Sequence, residues 1–152
     1  FFDGGKEVEY DDMKKVLINI KGTQSYGEET DTSSLTTEGE MEIKDGICRL
    51  VYNESNLIGA ENVTSELLLE DNKKFSITRK GGLNSILTVE TGKRHSCLYD
   101  SPQGSFVIGI FGESLTSNID EKGGEIHAKY TIDVNSGLLS SNKMDIKIEE
   151  IK

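Results

Sequence analysis

The stretch EIHAKYTIDV, Glu125 to Val134, alternates without a slip: Ile126, Ala128, Tyr130, Ile132 and Val134 are apolar, and His127, Lys129, Thr131 and Asp133 between them are polar. Period two marks a strand with one buried and one wet face, because successive side chains leave a pleated strand on opposite sides. The pattern returns at both ends of the chain. Val16, Ile18 and Ile20 alternate with Asn19 and Lys21, and Met144, Ile146 and Ile148 alternate with Asp145, Lys147 and Glu149. Strands at both ends predict a sheet that can close on itself.

Turn signals cut the rest into short lengths. Asp45-Gly46 separates EMEI from ICRLVY, Asp71-Asn72 follows SELLLE, Gly81-Gly82 follows FSITRK, and Gly92 parts SILTVE from KRHSCLY. Pro102 with Gly104, Gly123-Gly124 and Ser136-Gly137 mark further turns. GSFVIGIFGESLTSNID (104–120) reads as one long strand bent near Gly109 or Gly112. No segment reads as a helix of three turns. A chain of hairpins must protect its sheet edges, and closure does so; a two-sheet sandwich would satisfy the same alternation, but no long crossover connection is visible. The predicted fold is all-β, a closed antiparallel up-and-down barrel of about 8–10 strands. Residues 13–152 are expected to form this single domain, and residues 1–12, FFDGGKEVEYDD, a flexible extension ahead of Met13.

The 152 residues carry 17 Lys and Arg against 27 Asp and Glu, a net charge of −10. Such a chain is expected to bind neither nucleic acid nor an anionic membrane through bulk charge, and to remain a monomer or small homo-oligomer. No apolar run approaches a membrane span and no leader pattern opens the chain, so a cytoplasmic protein is expected. Cys48 and Cys97 lie in strand-like apolar runs and read as buried thiols rather than a disulfide framework.

Five segments together, VLINIKGTQ (16–24), GEETDTSSLTTEGEM (27–41), RKGGLNS (79–85), GKRHSCLYDSPQG (92–104) and GGEIHAKYTIDVNSGLLSSN (123–142), resemble the YwiB-like family of small bacterial proteins. The resemblance covers the chain from about Met13 to its end. It implies a lipocalin-like (calycin) barrel and a bacterial cytoplasmic protein, and it supplies no catalytic residues.

One local feature runs against the acidic background. Between Lys73 and Arg94 stand six Lys and Arg and one acid, Glu90, a local charge of +5. Arg79, Lys80, Lys93 and Arg94 flank a hairpin, and alternation sends the two members of each pair to opposite faces. The functional reading puts one of each pair at the barrel mouth, with Arg79 and Arg94 as anchors and His95 beside them, to bind an anion. The other reading pairs these cations with acids across strands. Gly81-Gly82 could offer amides to an anion or simply turn the hairpin, with Asn84 capping it. His95 and Cys97 share a face at i, i+2 but lack a third orienting group, and His95 and His127 are too few for a zinc site, so no catalytic residue, metal or cofactor is expected. The expected function is a non-enzymatic barrel binding a small anionic or amphipathic ligand. The alternative is a barrel filled by its own side chains that acts as an interaction or structural module.

Overall fold

The computed structural model describes residues 2–3, 6–7, 13–53, 63–71, 73–82, 84–101, 104–134 and 137–151. Two short strands, β1 (Phe2–Asp3) and β2 (Lys6–Glu7), pair antiparallel as a sheet of their own. The other residues of the expected extension lie outside the described set.

Ten strands make the barrel: β3 (Lys14–Tyr26), β4 (Glu29–Lys44), β5 (Ile47–Asn53), β6 (Thr64–Glu70), β7 (Lys74–Lys80), β8 (Asn84–Glu90), β9 (Arg94–Ser101), β10 (Gly104–Ser117), β11 (Gly123–Val134) and β12 (Gly137–Glu150). Each pairs antiparallel with its neighbour in sequence, and β12 returns to β3, so the barrel is closed and up-and-down, as the alternation predicts. Among the described residues there is no helix, and hence none long and apolar enough to cross a membrane.

The faces follow the alternation. Val16, Ile18 and Ile20 on β3, Ile126, Ala128 and Tyr130 on β11, and Met144, Ile146 and Ile148 on β12 are buried. In FVIGIF (106–111), where both faces are apolar, Ile110 is buried while Val107 and Phe111 are exposed, so the even-numbered side chains face inward. β10 bends where expected: its register against β11 shifts between Gly112 and Ser114, leaving Glu113 as the extra residue of a bulge. The tight hairpin at Asp45-Gly46 takes positive φ at both residues, 53° and 80°.

The interior is not uniform along the barrel. Toward the end where Ile47, Glu70, Lys74 and Glu90 terminate their strands, it is packed with Cys48, Leu50, Leu67, Leu69, Phe75 and Ile77, all buried. Toward the opposite end the buried residues become polar: Ser65, Ser85, Ser140 and Asn142, with Tyr52 and Tyr130. This second end positions the candidate site.

Candidate functional site

On β7, Phe75 and Ile77 are buried, and Arg79 continues their face into the lumen. Register extends this position into one inward row across six strands. Tyr52 stands opposite Ser65, Ser65 opposite Arg79, Arg79 opposite Ser85, Ser85 opposite Tyr99 and Tyr99 opposite Phe106. Strands of a closed barrel tilt by about 35–45°, so a row running perpendicular to them climbs along the axis. Exposure records the climb: Tyr52 is 3% exposed, Ser85 6%, Tyr99 38% and Phe106 49%. The row therefore spirals from deep in the barrel out to its mouth, with Arg79 between the depths and the rim.

A second row faces it. Gly112 lies opposite Tyr130, Tyr130 opposite Asn142 and Asn142 opposite Gln24. The Asn142 amide donates to Ser140 Oγ at 3.0 Å, and Gln24 Nε2 donates to the same hydroxyl at 3.3 Å. Burial pushes the Tyr130 hydroxyl above the ordinary tyrosine range, and the positive charge of the Arg79 guanidinium opposes that rise. A hollow of about 360 Å³ opens beside this second row, with Gln24, Asp31, Tyr130, Ile132 and Asn142 among its walls. The Ser85 hydroxyl, next to Arg79 in the first row, is buried and has no hydrogen-bond partner among the described residues. The result is a polar layer of guanidinium, hydroxyls and amides above an apolar plug and below a mouth lined partly by aromatic rings.

The other sequence candidates do not join Arg79. Arg94 was expected as its fellow anchor, but it lies on the outer wall. Its Nε and Nη2 donate to Asp133 at 2.9 and 2.7 Å, a bidentate pair that spans three strands. The pair passes over Gly109, where any Cβ would strike the guanidinium. The Asp133 carboxylate holds Arg94 still more firmly in its charged form. Lys93 pairs with Glu90 at 3.1 Å at the β8–β9 turn. His95 faces inward with Ile110 opposite it, but its Nε2 is 2.9 Å from Glu90 Oε1. Lys93 first and His95 second hold the Glu90 carboxyl below its usual range. Lys80 ends β7 on the exposed face. The reading in which these cations pair across strands thus describes Arg94, and acid pairing also takes Lys93 and His95; Arg79 alone among the five enters the polar layer. The Gly81 amide donates to Asn84 Oδ1 at 3.4 Å, so it serves the turn.

Both cysteines are free and buried, as expected. Burial pushes Cys48 up to about 11 and raises Cys97 as well, which keeps both thiols neutral. Cys97 Sγ donates to the His95 carbonyl at 3.9 Å rather than to its ring. Among the described residues no group of three His, Cys, Asp or Glu side chains comes together to hold a metal ion.

On the outer wall, His127 stands between two carboxylates. His127 Nδ1 is 2.6 Å from Asp145 Oδ1, and Nε2 is 3.7 Å from Glu125. The Asp145 hydrogen bond, more than any other influence, raises the imidazole above its ordinary value. A raised pKa means that the folded state binds the proton more tightly, so the stabilisation is fully present below about pH 6.5 and fades as pH rises through the folded value. The unfolding free energy of the native chain minus that of His127→Gln is therefore expected to be largest in mild acid and to shrink toward alkaline pH. The ring is 45% exposed, so the difference is small. Urea melts of both proteins on either side of neutrality check this, and a difference that grows with pH would contradict it.

A family model described as Domain of unknown function (DUF1934) matches residues 18–146, from β3 to β12, and spans every residue of both rows. The chain belongs to the DUF1934 family. No curated protein matches it. Among solved structures, this DUF1934 chain is similar to the ywiB protein from Bacillus subtilis, at 17% identity over 93% of this chain and 94% of that one, with a TM-score of 0.80. At that identity the likeness speaks for the fold, and it bears out the YwiB-like, lipocalin-like barrel that the five sequence segments imply.

The sequence missed Ser65, Ser85, Tyr52 and Tyr99 as companions of Arg79. Each comes from a different strand, and only the register brings them into one row. A signal for Arg79 itself is present in FSITRK (75–80), where it continues the odd positions occupied by Phe75 and Ile77.

Proposed function

We propose that the polar layer holds the anionic group of a small ligand, and that this DUF1934 protein is a non-enzymatic binding barrel of the bacterial cytoplasm. The observation that carries the reading is the neighbouring pair Arg79 and Ser85: a guanidinium turned into the lumen, opposite a buried hydroxyl that no described group satisfies. A buried polar group without a partner costs stability, and a bound acceptor would remove that cost. Arginine presents five donors and no acceptor, in a fork that matches a carboxylate. Ser65, Tyr130 and Asn142 add hydroxyl and amide groups around the same space. Buried, unlinked Cys48 and Cys97 suit a reducing compartment, and the likeness to a Bacillus subtilis protein supports a bacterial setting.

The test combines native mass spectrometry of the purified protein with thermal melts against carboxylates from acetate to octanoate. A ligand that binds only the folded state stabilises it by about 2.7 kcal/mol at a hundredfold excess over its Kd. The melting shift is expected in the native chain and in Arg94→Gln, whose arginine lies outside, and is expected to vanish in Arg79→Gln. A bare mass with no shift for any acid would overturn this reading and favour the interaction module. The exposed, outward Ile86, Leu98 and Val107 would then be the surface to examine.

A further inference from the structure

The row that contains Arg79 continues beyond the polar layer. From Arg79 it passes Ser85 and reaches Tyr99, then Phe106, which are cross-strand partners. Both rings lie on the inward face, yet they are 38% and 49% exposed, because the climb of the row has carried them to the rim. Exposed aromatic rings on the inner side of a barrel are a different matter from scattered surface apolar residues. They stand on the side of the wall that a guest entering the mouth would cover. Ile108 on β10, partly buried, stands one inward position below Phe106 and extends the apolar side of the mouth.

The dimensions set the size of the guest. Adjacent strands lie about 4.8 Å apart, so Tyr99 is about 10 Å from Arg79 along the row and Phe106 about 14 Å. The path has a cationic donor at its deep end, a buried hydroxyl beside it, and rings at its outer end. Acids are absent from the row itself between Tyr52 and Phe106.

We infer that the ligand of this site is a monocarboxylate with an apolar body about 10–14 Å long, bound with its head at Arg79 and Ser85 and its body laid outward along Tyr99 and Phe106. The inference rests on the anion-binding reading proposed above and adds the orientation and the class of molecule. A short acid would satisfy the head alone; a plain alcohol of the same length would satisfy the body alone.

Isothermal titration of the full chain with acetate, butyrate, octanoate and palmitate, and with octanol as the uncharged counterpart, separates these parts. Affinity is expected to rise from acetate to octanoate by up to about fourfold per methylene buried, and to level off by palmitate, whose end passes the rim. Octanol is expected to bind far more weakly than octanoate. In Tyr99→Ala/Phe106→Ala the dependence on chain length is expected to flatten while acetate and butyrate bind as before. Tyr99 and Phe106 are 38% and 49% exposed and stand at the rim rather than in the apolar plug, so this variant should retain the barrel. Nuclear Overhauser contacts between the terminal methyl of octanoate and the rings of Tyr99 and Phe106 in the native chain give a second reading that needs no substitution. Acids that all bind through Arg79 with equal affinity would overturn the orientation and leave the anion site standing. A length dependence unchanged in the double variant, or a methyl that contacts other rings, would also overturn it. If no acid binds and Arg79→Gln changes nothing, the anion reading itself fails.

Discussion

Phe75→Ala is expected to lower the unfolding free energy by about 3–5 kcal/mol. The residue is fully buried, with Leu69 opposite it on one side and Val89 on the other. Leu69 in turn faces Cys48, so one apolar row closes this end of the barrel from β5 to β8. Removing the ring leaves a void whose walls are strands fixed by their own ladders, and these cannot collapse far. Its lining is apolar, so water would find no partners there and the lost contacts would go unreplaced. For a chain of this length the loss corresponds to a fall in Tm of roughly 6–20 °C. Urea unfolding measures it directly. Phe75 lies four residues below Arg79 on the same strand, about 13 Å away. Acid binding well below the new Tm should therefore be unchanged. A Phe75→Ala protein that lost stability and ligand together would mean that the plug and the polar layer are one unit rather than two ends with separate tasks.

That division was only half legible in the sequence. Alternation is a local signal, and it placed Val16, Ile18, Ile20, Ile126, Tyr130, Ile146 and Ile148 inside without reference to any neighbour. Turn chemistry is local too, which is why Asp45-Gly46 and the bend after Gly112 fall where the residues indicate. The fate of a charge depends instead on what lies across the sheet. Arg94 and Asp133 are 39 residues apart, and nothing near Arg94 announces that Gly109 clears a path between them. The local excess of positive charge suggested a cluster, but strand pleating divided it: Arg79 went to the lumen, and Lys93 and Arg94 took Glu90 and Asp133. Phe106 shows the remaining gap. Its inward face follows from parity, whereas its exposure comes from the climb of the row toward the mouth, a property of the closed barrel and not of the segment.

Gly112→Val is expected to open the barrel along the seam between β8 and β9, at a cost of about 2–6 kcal/mol from overpacking and the loss of two backbone hydrogen bonds. Among the described residues those two strands are paired only at Asn84 with Asp100 and Ser85 with Tyr99, with one isolated bridge between Glu90 and Lys93. β10 holds the far end of the seam. The Gly112 amide donates to the Lys93 carbonyl at 3.1 Å, its carbonyl accepts from the Gly92 amide at 2.8 Å, and Thr91 bridges to it in parallel. A Cβ at Gly112 would overlap the Glu90 carbonyl, which is backbone and cannot swing aside as a flexible side chain could. Gly92→Ala is the control: its Cβ would meet nothing within 4 Å, so only the strain of holding alanine at φ +78° remains, about 1–2 kcal/mol. Denaturant melts should rank the two variants in that order, and amide exchange should quicken in β8 and β9 before β11 and β12. Because Ser85 and Tyr99 are the paired residues at the other end of this seam, the same substitution should weaken octanoate binding without touching Arg79. If Gly92→Ala proved the more damaging, the hairpin turn rather than the contact with β10 would be what closes the wall.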